Sequence, residues 1–418
     1  MRMKFNKSRQ LVLVSAASLL GATLITACSQ FTQTLTVDFV FVVSSKAAGS
    51  NQYGNIDVFE INSESGAMRQ IPSSPFPSGG PNPVAEAVSS DSSNLFVANE
   101  YDNTVVQLTI GSDGKLYPYY TVNTPGIYPM ALAATKTNLF VVDTYEPVPS
   151  CSTFSPCPGS VTVYPVNAAT STAPITLGAP LANSAVNGAY WPLSLTGSND
   201  VIVPTGINVA ASGAYLYVTA YDSSVTPSKG YIFAYAIGTN GALAAVPGSP
   251  FAAGTQPSAI ASDSTSSHIY VTDFRNAAVL GYSVGANGAL TGLTSGLGGT
   301  NRFQAGNQPA SIVVDQSFPF AYVANSLDST VTAYSIGNGA LTSVGTYAAG
   351  QQPVAIGIDP STQHFVYAAN YLGGTVSGWE LSETAGTLLV SQGAPFLSDA
   401  QPTAVAAISH NGTGAGIH

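Results

Sequence analysis

Residues 309–341, PASIVVDQSFPFAYVANSLDSTVTAYSIGNGAL, decide the fold. A proline opens a short apolar strand, Ala310 to Val314, and a small turn leads to an aromatic-valine strand, Ala321 to Ala324, that closes on Asn325. Next, Thr330 to Ile336 alternates with period two, and Asn338-Gly339 turns the chain into a fourth strand near Leu341. Asn-Gly supplies the positive φ angles that a tight hairpin requires. No part of the stretch has a helical period.

The same phrase returns seven times, opening at Pro83, Pro129, Pro204, Pro257, Pro309, Pro353 and Pro402. Its second strands run through Phe41-Val42-Val43, Leu95 to Asn99, Leu139 to Asp143, Leu216 to Thr219, Ile269 to Asp273, Ala321 to Asn325 and Phe365 to Ala368. Hairpin glycines recur at Gly66, Gly114, Gly241, Gly288, Gly339 and Gly386. A period of roughly 45 to 50 residues with four short strands per unit predicts an all-β, seven-bladed β-propeller. The first unit lacks an inner strand, whereas Pro402 to Ile408 is an inner strand with nothing after it. The two ends are therefore expected to complete one blade, the C-terminal strand closing the first and removing exposed edges. The propeller should span 37–409, with insertions near 144–160 and 168–203 and a flexible tail at 410–418 that holds His410 and His418.

Residues 1–27 read as a signal peptide: Arg2, Lys4, Lys7 and Arg9 precede an apolar run, Leu11 to Ile25, that is short for a membrane span. Leu24-Ile25-Thr26-Ala27-Cys28 resembles the bacterial lipobox, which implies acylation of Cys28, a linker over 28–36 and a membrane partner reached through the lipid. Ser29 resembles the residue of lipoproteins sent to the outer membrane, so the expected location is the bacterial cell envelope, at the outer membrane or facing the periplasm. An ordinary secretory signal is the alternative. The two remaining cysteines, Cys151 and Cys157, bracket a proline-bearing loop that a disulfide can close in an oxidising compartment. A metal site there is the weaker reading, because no histidine or further cysteine lies nearby.

Without the signal, seven basic residues face twenty-one acidic ones, a formal charge of −14. Such a surface repels phosphate backbones and argues against nucleic-acid partners. Only 8% of the chain is charged, so the surface is neutral and polar. A monomer is expected.

In this connectivity the turns before the inner strands share one rim with the loops between second and third strands. Those turns bring Asn82, Tyr128, Gln256, Gln308, Gln352 and Gln401. The loops bring Asn99, Glu100, Tyr101, Asp102, Asp143, Tyr145, Glu146, Tyr221, Asp222, Asp273, Arg275, Asn325, Asp328, Asn370 and Tyr371. Amides, carboxylates and tyrosines around a mouth suit a polar small molecule, a glycan or an envelope protein. Equally, Asn and Asp occur in such places to bond the turn backbone. Asp143, Asp273 and Arg275 are the candidate catalytic set: carboxylates as general acid and base or as ligands for a divalent cation, and the guanidinium to orient a carboxylate or polarise a lactone carbonyl. Arg275 also reads as half of a surface ion pair. The spacing demands no cofactor or metal, and HExxH, GxSxG and P-loop motifs are absent from the sequence. His268 and His364 precede second strands on the opposite rim and read as turn residues.

Tyr217-Val218-Thr219-Ala220, Tyr270-Val271-Thr272-Asp273 and Tyr322-Val323-Ala324-Asn325 resemble YVTN-repeat propellers. Gly-Ala-Leu at Gly241, Gly288 and Gly339, with Gly248 to Gly254 leading into Gln256-Pro257, is similar to the seven-bladed lactonase family, whose name-giving member is a 6-phosphogluconolactonase. The resemblance covers nearly the whole mature chain and implies hydrolysis of a sugar lactone. Where many members of that family carry His-Pro after the inner strand, this chain reads Ser89-Ser90-Asp91, Ser262-Asp263 or Asp359-Pro360. Two functions are thus expected: a lipid-anchored binding or scaffold propeller, or a lactone hydrolase.

Overall fold

The computed structural model describes residues 37–45, 53–62, 65–167, 175–195, 200–360 and 365–409. The signal segment, Cys28, the linker, His364 and the tail lie outside the described residues. Seven antiparallel sheets form the seven blades. Their inner strands are Pro402–Ile408 in blade 1, then Pro83–Val88, Ile127–Ala134, Ile202–Val209, Pro257–Ser262, Pro309–Val314 and Pro353–Ile358 in blades 2 to 7. Each inner strand packs on the next, and Pro402–Ile408 packs on both Pro83–Val88 and Pro353–Ile358, so the ring is closed.

The closing register is the one the unmatched ends imply. Pro402–Ile408 pairs antiparallel with Val37–Ser44, placing Phe39 opposite Ile408, Phe41 opposite Ala406 and Val43 opposite Ala404. Outer strands are continuous in blades 2 and 6, Leu116–Asn123 and Ala340–Ala348, and split into two short pieces in the other five. In blade 3 the pieces are Thr176–Leu177 and Trp191–Pro192, so the stretch expected to be an insertion carries that blade's outer strand. Its composition hides this, because two-residue strands leave no period to read. The anchor is Trp191, buried between blades 3 and 4, whose indole Nε1 donates to the Leu243 carbonyl at 2.9 Å.

The apolar core lies in the seams between blades. In one seam Tyr270 and Val279 of blade 5 meet Val314, Val323 and Tyr334 of blade 6. The repeated Tyr-Val phrase has its physical reason here. The hydroxyls of Tyr217, Tyr270 and Tyr322 donate forward to the carbonyls of Gly288, Gly339 and Gly386 at 3.0, 3.0 and 3.2 Å. Those of Tyr164, Tyr282 and Tyr334 reach back to Asn123, Ala252 and Gln304 at 2.9, 2.8 and 2.7 Å. Each ring fills a seam while its polar tip is satisfied across it, which suits a large side chain with one hydroxyl. Glycine is required twice over in these hairpins. At Gly386 φ is +68°, and a Cβ would lie 2.3 Å from the Phe320 ring of the preceding blade.

Candidate functional site at the rim

Strand register brings the predicted rim together. Pro83 pairs with Asn99, Pro129 with Asp143, Pro257 with Asp273, Pro309 with Asn325 and Pro353 with Asn370. Every second-to-third-strand loop in these blades therefore starts beside the turn that opens the inner strand. The residues fall into two layers with different roles.

The deeper layer is a set of clasps. Asn99, Asp143, Asp273, Asn325 and Asn370 are each at most 1% exposed. Asp273 Oδ2 accepts from the Thr255 amide at 3.1 Å and from Asn276 Nδ2 at 2.7 Å, while Oδ1 accepts from the Gln256 amide at 3.2 Å. Asn325 Oδ1 accepts from the Gly306 amide at 3.0 Å, and its Nδ2 donates to Thr330 and Thr332. Asn370 Nδ2 donates to Thr375 and Ser377, both at 3.0 Å. A glycine lies against each clasp: a Cβ on Gly80, Gly126, Gly254, Gly306 or Gly350 would fall 2.1 to 2.6 Å from the Asn or Asp side chain. In blades 5 and 6 the polar residue ending the second strand thus ties down the incoming turn, and in blades 2, 3 and 7 it bonds hydroxyls of the third strand.

Asp143 Oδ2 takes the Thr162 hydroxyl at 3.0 Å, and Thr124 and the Gly126 backbone lie close enough to favour the ionised form without completing a hydrogen bond of good geometry. Burial outweighs these groups and pushes its carboxyl up to about 7. Asp222, also buried, accepts from the Ser224 amide and hydroxyl at 2.9 and 2.6 Å. The two carboxylates expected to act across the mouth, Asp143 and Asp273, are instead enclosed beneath it, the first bonded to Thr162 and the second engaged with its own turn.

The outer layer holds the residues before the prolines. Asn82, Tyr128, Gln308, Gln352 and Gln401 all adopt left-handed backbone, with φ between +50° and +61°. Five non-glycine residues in this region at one repeated place is a concentration of strain that the fold sustains through the neighbouring loop. Their carbonyls accept from the first amide of that loop, as in Glu100 to Asn82 at 3.0 Å, Ser326 to Gln308 at 2.9 Å and Tyr371 to Gln352 at 2.9 Å. Side chains pair as well: Asn82 with Glu100, Arg275 Nε with Gln256 Oε1 at 2.9 Å, and the Ser45 hydroxyl with Gln401 Oε1 at 3.4 Å. Burial raises the Glu100 carboxyl above its ordinary range. Tyr221 and Tyr371 are half-buried in the loops of blades 4 and 7.

Between blades 5 and 6 this layer opens into a cavity of about 470 Å³, lined by Gln256, Phe274, Arg275, Ala277, Asn307, Gln308 and Leu327. Three of the predicted rim residues meet there. Arg275 does not pair with Asp273; its Nε is spent on Gln256, and among the described residues it forms no ion pair. Besides the small Ala277, Phe274, Asn307 and Leu327 are larger members that reading the sequence did not single out. Only their positions within the repeat, one or two residues after a clasp or before a proline, mark them.

Elsewhere on this rim Cys151 and Cys157 are joined by a disulfide. The Glu146 carboxylate lies within 4.8 Å of both sulfurs, but with both thiols consumed the trio is no metal-ligand set.

Residues 292–395 match the family described as Lactonase, 7-bladed beta-propeller. No curated protein matches the chain. A putative 6-phosphogluconolactonase from Bacteroides fragilis has the same fold at 17% identity, with a TM-score of 0.67 over 90% of this chain and 99% of that one. The periplasmic gluconolactonase of Pseudomonas aeruginosa gives the same figures, 17%, 0.67, 90% and 99%. A protein from Lactobacillus plantarum follows at 15% identity and TM-score 0.65, covering 88% of this chain and 98% of that one. With the matched segment running through blades 5 to 7 and the fold shared along nearly the whole length, the chain is a seven-bladed β-propeller that is similar to the lactonase family over 292–395.

Proposed function

We propose that this propeller is an envelope-anchored binding module whose rim cavity takes a small polar ligand of the sugar type, free or as the end of a glycan. The observation that carries this reading is the cavity between blades 5 and 6. It sets a guanidinium held by Gln256 beside the amides of Asn307 and Gln308, with Phe274 as an apolar wall. Amides satisfy hydroxyls, the remaining guanidinium donors fit a carbonyl or carboxylate, and an aromatic wall accepts the face of a sugar ring. Arg275 is exposed and outside the core, so replacing it tests binding without disturbing the fold. In calorimetric titration against neutral oligosaccharides, aldonic acids and sugar lactones, Arg275→Ala is expected to weaken the binding ligand about tenfold or more, as the loss of a charge-assisted hydrogen bond implies. Equal affinity in the two proteins, or no ligand in the panel, opposes the reading.

Anchoring is proposed through Cys28. A Cys28→Ser chain should leave the membrane fraction for the soluble one, and its retention there would argue against the lipid.

Lactone hydrolysis is the second reading, favoured by the lactonase match over 292–395 and by the named activities of the similar structures. It differs from the first in one readout, turnover of a sugar lactone followed by proton release. Because Asp143 and Asp273 are enclosed, the member of the candidate catalytic set within a substrate's reach is Arg275, which would polarise the lactone carbonyl toward water.

A further inference from the structure

Glu86 stands where the repeat otherwise never varies in character. It lies three residues after Pro83, and the same place after the other six prolines holds Leu132, Ile207, Ile260, Ile312, Ile356 and Val405. Those side chains pack into the apolar seam against the preceding blade: Leu132 with Phe96 and Ala98, Ile260 with Tyr217 and Ala234, Ile312 with Tyr270 and Val279. Glu86 instead puts a carboxyl into the seam between blades 1 and 2, whose innermost part is completed by the returning C-terminal strand. Its polar neighbour is the backbone of Ala406, on the closing strand Pro402–Ile408 that packs directly on Pro83–Val88. The rest of that seam is built from groups such as Phe41, Val43 and Val97, with Val88 and Ala404 at its edge. Both carboxyl oxygens are shut off from solvent, and neither completes a hydrogen bond of good geometry.

We propose that Glu86 is a proton-operated latch on ring closure: protonated, it lies in the seam and the closing strand stays docked, and ionised, it draws in water and the seam between Pro83–Val88 and Pro402–Ile408 opens. An unpaired carboxylate without water or a counter-charge is among the most costly groups to enclose, whereas its neutral form is tolerated. Burial accordingly holds the Glu86 carboxyl well above the usual carboxylate range, opposed only by the Ala406 backbone. No charged group contributes to that shift. The strands packed on Pro83–Val88 are Pro402–Ile408, Val37–Ser44, Asn94–Asn99 and Ile127–Ala134, and their titratable residues are Asp38 and Tyr128. Asp38 is buried opposite Ile61 with a partner of its own, and Tyr128 sits on the rim against Tyr145.

Because the carboxyl is raised in the closed ring, closure is strongest below the ordinary glutamate pKa of 4.5 and weakens as pH rises toward the closed-ring value. Within that window the opening constant rises about tenfold per pH unit, and beyond it the dependence flattens. The test is hydrogen exchange of the amides in Pro402–Ile408 between pH 4.5 and 9, corrected for intrinsic rates, in the full chain and in Glu86→Gln and Glu86→Leu. The wild-type opening constant should rise at least tenfold relative to Glu86→Gln, while Glu86→Leu, which restores the aliphatic residue of the other blades, stays closed throughout. Equal slopes in all three proteins overturn the latch. So does a wild-type slope equally large in Pro309–Val314, since that would mean global titration through groups such as Asp143. If Glu86→Gln does not fold, the comparison of wild type with Glu86→Leu decides.

Discussion

A chain ending at Asp399 is expected to yield no cooperatively folded protein. The truncation removes a single strand, Pro402–Ile408, yet that strand is at once the inner strand of blade 1 and a packing partner of blades 2 and 7. Without it, Val37–Ser44 becomes an open edge, although Val40, Phe41, Val42 and Val43 are completely buried in the closed ring. Unpairing its backbone costs about 1–3 kcal/mol for each donor or acceptor that stays enclosed. Uncovering the side chains this strand covers, such as Phe39 opposite Ile408 and Val43 opposite Ala404, adds about 1.5–3 kcal/mol for each one fully exposed. Together these match or exceed the roughly 5–15 kcal/mol that holds a typical domain folded. Near-UV circular dichroism and calorimetry are the measurements. A truncated chain that stays soluble and melts in one transition near the full-length temperature would show that the ring does not depend on this closure.

Ring closure is legible in the amino-acid sequence because it rests on counting: a strand missing at one end and an extra one at the other. The third strands Thr104–Ile110, Ala278–Val284 and Thr375–Leu381 are equally legible, since they are short, mainly apolar runs, covered on both faces for most of their length and followed by hairpin glycines. The outer strands of blade 3 are not, being two residues each and held by Trp191 rather than by a pattern. At the rim, residue types are readable but depth is not. Asn325 and Gln308 lie in neighbouring loops of one blade, and nothing in their identity says that the first is enclosed as a clasp while the second lines a cavity. Glu86 escapes notice for the opposite reason. Its signal lies in the alignment of the seven inner strands against one another, not in any local motif.

The depth of Asp273 sets the second large expectation. Asp273→Ala should lower stability by about 3 kcal/mol, because it leaves the amides of Thr255 and Gln256 and the Asn276 side chain unpaired in a half-buried turn, at the lower end of roughly 1–3 kcal/mol per unpaired group. At a little over about 1 °C per kcal/mol for a propeller of this size, the melting temperature should fall by about 4 °C. Asp273→Asn preserves volume but turns an NH2 toward groups that donate, so it should lose most of the same stability. If Asp273 served only chemistry, Asp273→Asn would abolish turnover and leave melting unchanged, so the two roles separate in one experiment. The clasp can also be broken from its other side. Gly254 has φ of +68°, and a Cβ there would lie 2.1 Å from Asp273 Oδ2, so Gly254→Ala should destabilise by displacing the same carboxylate. Residues that act through one contact do not add. The double variant should therefore cost clearly less than the sum of the two, and strict additivity would mean that the glycine and the aspartate do not form the single device the geometry describes.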